Sequence, residues 1–243
     1  MSSLRKALIG VAVVSAAALA FFAWNWLRDS SLVKVRHVEI AGVSNNPDAP
    51  AIKRELHQAA LRMTTLHVDP GELEHAVSAF SIVRSVSASA DFPSTLEVKV
   101  HEYAPVAALT SRDGNAVPVA FDGTLLPRVA EQKLPAVEVA STPRHNGFES
   151  RRVRILVRVL AAAPAPLRPQ FERAYLDSER GIVVAMRDGP MLVFGTGARL
   201  PAKWASATRV LAAPSSSGAA EIDVRLPERP SASGFASARN SQL

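Results

Sequence analysis

Apolar and polar positions between residues 33 and 102 alternate first with strand spacing and then with helical spacing. A Val- and Ile-rich run over 33–41 predicts a strand, and its alternation changes phase near His37, which indicates a bulge. Apolar positions recur at helical spacing over 48–62, and a second helix opens at Asp69-Pro70. Period-two alternation over 82–91 and 96–102 predicts two strands of a hairpin. The order strand, helix, helix, strand, strand predicts an α+β module with two helices covering a three-stranded sheet.

A second module is predicted over 105–228, with mostly antiparallel strands and two helices. Its hairpin signals are three Asp-Gly pairs beside Val-rich segments, at positions 113–114, 122–123 and 188–189. The predicted helices cover 148–163 and 200–211, and the last predicted strand covers 220–226. The tail over 229–243 contains Ser, Ala, Gly and Arg without periodicity, so it is predicted to be disordered.

The N-terminal segment Ala7–Leu27 contains no charged residue. As a helix it would span roughly 31 Å, which matches a bilayer core, so it predicts a transmembrane anchor after a cytoplasmic tail over 1–6. Arg5 and Lys6 favour a cytoplasmic N-terminus. The alternative is a cleaved signal peptide, for which Ala18-Leu19-Ala20 offers a cleavage site.

Composition and motifs argue against catalysis and cofactor binding by this chain. It has no cysteine, and its six histidines lack the spacing of a metal site, so neither a metal nor another cofactor is expected. No serine lies in a nucleophile elbow, and Gly195-Thr196-Gly197 lacks the rest of a phosphate loop, so no catalytic residue is expected. A net charge of +6 allows acidic partners or anionic lipid, but no aromatic residues alternate with the basic ones as nucleic-acid binding would require.

Four short motifs carry a resemblance to a known family. They are Val38-Glu39-Ile40-Ala41-Gly42, Leu66-His67-Val68-Asp69, Val83-Arg84-Ser85-Val86-Ser87-Ala88 and Phe92-Pro93-Ser94-Thr95-Leu96. Together with the anchor and the module order, they resemble the FtsQ/DivIB family of bacterial cell-division proteins. The resemblance implies a POTRA domain over 33–103, an FtsQ-type β-rich domain over 105–228, and a location at the division septum with both domains outside the cell membrane.

The resemblance also implies a non-enzymatic scaffold that links upstream septal proteins to FtsB- and FtsL-type partners. A partner strand would add to the terminal strand, which is expected to lie at a sheet edge. The expected partner-binding residues are Ile222, Asp223, Val224, Arg225, Leu226 and Phe235. Pro227 and Pro230 cannot donate backbone hydrogen bonds, so the added pairing is expected to be short.

Two other functional classes stay open at this point. A POTRA-bearing protein of outer-membrane assembly or secretion would share the first module, and a secreted hydrolase would require a cleaved N-terminus. Arg151, Arg154 and Arg158 share a face of the predicted helix over 148–163, with Arg152 beside them. That face is either a solvated surface or a patch for anionic lipid or an acidic partner.

Overall fold

A computed structural model describes residues 33–130, 133–148 and 150–235, and the chain divides into two units between Tyr103 and Ala104. Within those ranges, no helix has the length and apolar character needed to cross a bilayer. The predicted anchor over 7–27 and the predicted tail over 1–6 lie outside the described residues.

The first unit has the predicted element order. Its elements are β1 (His37–Ala41), α1 (Ala49–Ala60), α2 (Pro70–Ala76), β2 (Val83–Asp91) and β3 (Thr95–Glu102). The sheet order is β1-β3-β2, with β1 parallel and β2 antiparallel to β3. Buried side chains of both helices and of β3 form the core, among them Ile52, Leu56, Leu73, Leu96 and Val98.

One local detail of this unit differs from the prediction, and the N-terminal cap of α2 agrees with it. The strand begins at His37, while Val33 and Val35 lie buried beside the loop at 63–65, so the phase change marks the start of the strand and not a bulge. The Asp69 side chain accepts hydrogen bonds from the N–H groups of Gly71 and Glu72, as an N-cap does. The Glu72 carboxylate contacts Arg62 at 3.1 Å.

The second unit is one eight-stranded sheet with two α-helices. Its strands are β4 (Ala107–Ser111), β5 (Ala116–Val119), β6 (Ala136–Val139), β7 (Phe171–Asp177), β8 (Gly181–Met186), β9 (Met191–Gly195), β10 (Glu221–Asp223) and β11 (Ser231–Ser233). The helices are α3 (Arg151–Ala161) and α4 (Leu200–Leu211), and 3₁₀ turns lie at Ala165–Gln170 and Pro214–Ser216. The sheet order is β11-β10-β9-β8-β7-β6-β4-β5.

Four of the strand pairs are antiparallel, and β4/β6, β6/β7 and β9/β10 are parallel. The first and third Asp-Gly pairs form the hairpin turns between β4 and β5 and between β8 and β9, as predicted. The α+β class is thus confirmed, with a larger parallel share than the alternation of the strands indicates.

The core of the second unit lies between the sheet and its two α-helices. The inward residues of α3 are Val153, Leu156, Val157, Val159 and Leu160. Trp204 of α4 lies between the rings of Phe171 and Phe194, at centroid distances of 5.4 and 4.6 Å. Its indole N–H donates to the Val159 carbonyl at 3.0 Å, so α4 is fixed against both the sheet and α3.

The C-terminal end of the chain corrects two predictions. The last predicted strand shortens to the three residues of β10. Residues 231–233, predicted as part of a disordered tail, form β11 and pair antiparallel with β10. Ser-Ala-Ser has little strand propensity, so the tertiary pairing with β10 creates this strand. Residues 236–243 lie outside the described range.

Candidate functional site

The eight-stranded sheet has two ends, and the end at β5 is closed by its own chain. Pro118 of β5 has no N–H, and its carbonyl accepts the N–H of Leu126 at 2.8 Å. Val119 also bridges to Leu125, because the chain turns back at Asp122-Gly123. A partner strand therefore finds few free backbone groups at this end.

The other end is reached through β10, whose hydrogen bonds show which way each residue faces. The Met191 N–H donates to the Ala220 carbonyl, and the Val224 N–H donates to the Val193 carbonyl, both at 2.9 Å. The Ala220 carbonyl and the Val224 N–H therefore face β9, while the Ala220 N–H donates to the Ser233 carbonyl of β11 at 3.0 Å. Since successive backbone groups in a strand point to opposite sides, Ile222 also faces β9.

The residues between them, Glu221 and Asp223, face β11. Their register partners in β11 are Ser233 and Ser231, which must face β10 in return. Ala232 lies between these two serines, so its N–H and C=O point to the open side of β11. In the described part of the chain, no further strand pairs with that side.

The open edge of the sheet is therefore β11, one strand beyond the predicted edge strand. The six predicted residues assume that 221–226 is the terminal strand, but β11 covers β10. Ile222 and Val224 are 1% and 0% exposed and belong to the core. Leu226 and Phe235 are 64% and 48% exposed, and they flank β11 in sequence as two large apolar side chains in water.

Asp223 and Arg225 form an internal ion pair. The Asp223 carboxylate accepts the Arg225 N–H at 2.8 Å and the guanidinium Nε at 2.8 Å. Partial burial favours the neutral acid, but these hydrogen bonds outweigh it and lower the pKa of Asp223. Arg225 is half-exposed, and its stem lies against Gly195 at the end of β9.

The connection from β10 to β11 is tied to α4. The Ser206 hydroxyl donates to the Pro227 carbonyl at 2.5 Å, and Arg199 forms an ion pair with Glu228. The Arg229 N–H donates to the Leu226 carbonyl at 3.0 Å and closes the turn. These contacts hold Leu226 at the start of a fixed turn.

A second ion-pair group lies on the same part of the sheet. Arg180 contacts Asp177 at 3.1 Å and Glu221 of β10 at 3.0 Å. The N–H and side chain of Arg180, with the N–H of Glu179, lower the pKa of Asp177 to about 2. The group links the turn after β7 to β10, and it so supports the strand with which β11 pairs.

Sequence reasoning missed Lys203 of α4, which is only 3% exposed. Its ammonium donates to the carbonyls of Phe194 and Thr196 at 2.6 and 2.9 Å, just where β9 ends. Burial lowers the pKa of Lys203, and Arg199 lowers it further while Asp223 opposes both. Helical spacing offers the missed signal, because Lys203 lies on the apolar stripe of Leu200, Trp204 and Ala207.

Comparison with known proteins matches the first unit to a domain family. A family model for the POTRA domain, FtsQ-type, matches residues 33–103. "Cell division protein FtsQ" of Mycolicibacterium smegmatis (strain ATCC 700084 / mc(2)155) is 26% identical over 229 residues, covering 92% of this chain and 62% of that protein. The chain therefore spans less than two thirds of the length of this curated relative.

Among solved structures that resemble part of the chain is a DivIB domain. It is the major extracytoplasmic domain of the trans isomer of the bacterial cell division protein DivIB from Geobacillus stearothermophilus. The match covers 43% of this chain and 87% of that one, with 19% identity and a TM-score of 0.31.

Proposed function

Because this chain belongs to the FtsQ/DivIB family of bacterial cell-division proteins, we propose that it is a non-enzymatic, single-pass membrane scaffold of the division machinery. Its second unit binds FtsB-type partners, themselves paired with FtsL-type proteins, and the binding element is a strand that the partner adds to β11. The segment over 7–27 anchors the scaffold in the cell membrane at the septum, with both units on the outer side.

The observation that carries this proposal is the open side of β11. Ala232 offers one free N–H and one free C=O there, so an added strand gains two backbone hydrogen bonds at that residue. Each contributes only about 0.5–1.5 kcal/mol net, which is too little for a stable complex. Leu226 and Phe235 supply the apolar contacts that the short ladder lacks, and Arg225 supplies a charge for selectivity.

Ala232→Pro tests the added strand. Proline removes the outward N–H and leaves every bond between β10 and β11 in place, as edge strands allow. We expect the FtsB-type partner to bind the full-length variant at least tenfold more weakly in calorimetry, with an unchanged melting temperature. Unchanged affinity would contradict strand addition at β11.

Two control variants separate binding from folding. Ser233→Pro removes an N–H that faces β10, so it should loosen β11 and lower partner affinity together with local stability. Val224→Pro breaks the bond to Val193 inside the sheet and should destabilise the whole second unit. Ala232→Pro is informative because it alone is expected to weaken binding without unfolding.

Hydrogen exchange gives a second readout of the same proposal. In the free protein, the amides of Ser231 and Ser233 should be protected and that of Ala232 should exchange quickly. Adding the partner should protect Ala232. Protection confined to β5, at the other end of the sheet, would move the binding site away from β11.

We assign recruitment by upstream septal proteins to the first unit, which the FtsQ-type POTRA model matches. Deleting residues 33–103 should abolish septal localisation of a fluorescent fusion. Ala232→Pro should leave localisation intact and remove only the later partner. Septal localisation without the first unit would contradict this assignment.

A further inference from the structure

Helix α3 presents a group of arginines that have no partner among the described residues. Arg151, Arg152, Arg154 and Arg158 are exposed, and within the described residues none of their guanidinium groups makes a hydrogen bond or ion pair. The buried stripe of Val153, Leu156, Val157 and Leu160 fixes which way they point, so the basic face is permanent.

This arrangement is unfavourable for the isolated protein. Three of the four arginines lie in the first turn or immediately after it, where the positive end of the helix dipole disfavours cations, and that turn contains no acidic residue. Like charges so close together also repel one another. In the same unit Arg180, Arg199 and Arg225 have carboxylate partners. Positive charges that lower the stability of the fold, and that have no partner among the described residues, indicate a surface that binds another molecule.

A cleft next to the helix extends the basic face. It has a volume of about 410 Å³ and lies where the parallel strands β4 and β6 end. Arg112 and Arg152 line it, together with Thr110, Ser111 and Glu138. Arg112 is also exposed, and its guanidinium has no partner in the described residues.

The shape and composition of this surface distinguish a protein segment from a lipid surface. A bilayer is flat, and a protein that binds its surface usually inserts apolar side chains into it. None of the exposed large apolar side chains of the described residues lies on α3 or in the cleft. A concave cleft with two guanidinium forks fits a projecting carboxylate, which arginine binds in a bidentate manner. Along α3, Arg151 and Arg158 are about 10.5 Å apart in rise, which extends the surface over two helical turns.

We propose that Arg112, Arg151, Arg152, Arg154 and Arg158 form a docking surface for an acidic, carboxylate-rich segment of a protein partner. The surface is separate from the β11 edge. Five strand spacings lie between β11 and β6, which places the two surfaces roughly 24 Å apart. Among the described residues that line the cleft, Glu138 is the one carboxylate, and its negative charge repels an incoming carboxylate.

The probe is a labelled helical peptide that carries glutamates three and four residues apart in an alanine background. Its binding to the full-length protein is followed by fluorescence anisotropy at 50 and 200 mM salt. The double variant Arg112→Glu/Arg152→Glu should weaken binding at least tenfold and flatten its salt dependence. Glu138→Gln should tighten binding at least twofold, because the opposing charge is removed.

The control is Arg209→Glu, which reverses an exposed arginine on α4 of the same unit. It should change the affinity by less than twofold. The double variant should not lower the melting temperature, because neither guanidinium makes an internal bond in the part of the chain that the structure describes. Equal weakening by Arg209→Glu, or an unchanged affinity in Glu138→Gln, would overturn the proposal. Binding to phosphatidylglycerol vesicles but not to the peptide would overturn it in favour of a lipid surface.

Discussion

At the residue scale, Lys203 shows how a single buried charge can hold a strand end in place. The replacement Lys203→Met keeps the length of the side chain but leaves the carbonyls of Phe194 and Thr196 without a donor. Relief of the buried charge offsets part of this loss, so we expect a net destabilisation of about 1–3 kcal/mol. Urea unfolding measures it, and Lys53→Met on the exposed face of α1 should change stability by less than about 0.5 kcal/mol. Equal stability of the two variants would mean that the buried bonds contribute nothing net.

Asp177 makes a pH-dependent contribution at the same scale. Hydrogen bonds from the backbone and side chain of Arg180 hold its pKa at about 2, below the ordinary value of 3.8. The unfolded chain therefore binds a proton first as the pH falls, so the stabilisation is complete above about pH 4 and is lost on the way down to pH 2. Asp177→Asn should flatten the fall in melting temperature over this range.

The control for that measurement is Asp113→Asn in the hairpin between β4 and β5. Its carboxylate is exposed and makes no hydrogen bond in the described part of the chain. It should leave the acid limb unchanged. The same flattening in both variants would assign the acid limb to overall charge and not to the contact with Arg180.

Residues also show where sequence reasoning has its limit. The N-cap role of Asp69 could be predicted because a cap depends on neighbours two and three positions away. The partner of Glu72 could not, since Arg62 reaches it only after two helices have packed. Leu226 and Phe235 were predicted as contact residues, and their exposure keeps that hypothesis open, whereas the burial of Ile222 and Val224 removes the backbone edge on which their role depended.

At the scale of elements, β11 depends on Gly234. This glycine has a φ of +70°, and a Cβ there would lie 2.9 Å from the Cβ of Ala220. Gly234→Ala should therefore detach β11, seen as lost hydrogen-exchange protection at Ser231 and Ser233. Gly218→Ala is a matched control, because Gly218 has a φ of +80° but nothing within 4 Å of the added atom. It should cost only the backbone strain of about 1–2 kcal/mol and leave β11 protected. Equal protection of β11 in both variants would show that the contact with Ala220 is unimportant.

The elements that were predicted well are those whose own pattern of apolar and polar residues indicates a helix or a strand. The helix α3 has an apolar stripe at helical spacing, and β8 and β9 are apolar runs on either side of a turn signal. The strand β11 has no such pattern, and the prolines at 227 and 230 predict that strand pairing is short. In fact they frame the turn that brings β11 back to β10, because Pro227 accepts a bond from Ser206 and Pro230 precedes the strand.

At the scale of the whole chain, the order of strands in the second unit was beyond prediction. Alternation shows that a segment is a strand, but it does not show which strand lies beside it. The parallel pairs β4/β6 and β9/β10 join segments separated by a hairpin or a helix, and long-range packing of the core against α3 and α4 selects them. The first unit was predictable because its β2–β3 pair is a local hairpin.

The two proposed surfaces lie towards opposite ends of one sheet, and this placement has a consequence for binding. Sites separated by roughly 24 Å with no shared side chain should act independently. Ala232→Pro should therefore leave affinity for the acidic peptide unchanged, and Arg112→Glu/Arg152→Glu should leave affinity for the FtsB-type partner unchanged. In the combined variant, each ligand should lose the same affinity as in the corresponding single variant, within about 0.5 kcal/mol. Calorimetry with each ligand, alone and in the presence of the other, measures this directly. A coupling energy above about 1 kcal/mol would mean that the sheet transmits strain between its ends, and the second unit would then be a switch rather than a scaffold with two separate binding surfaces.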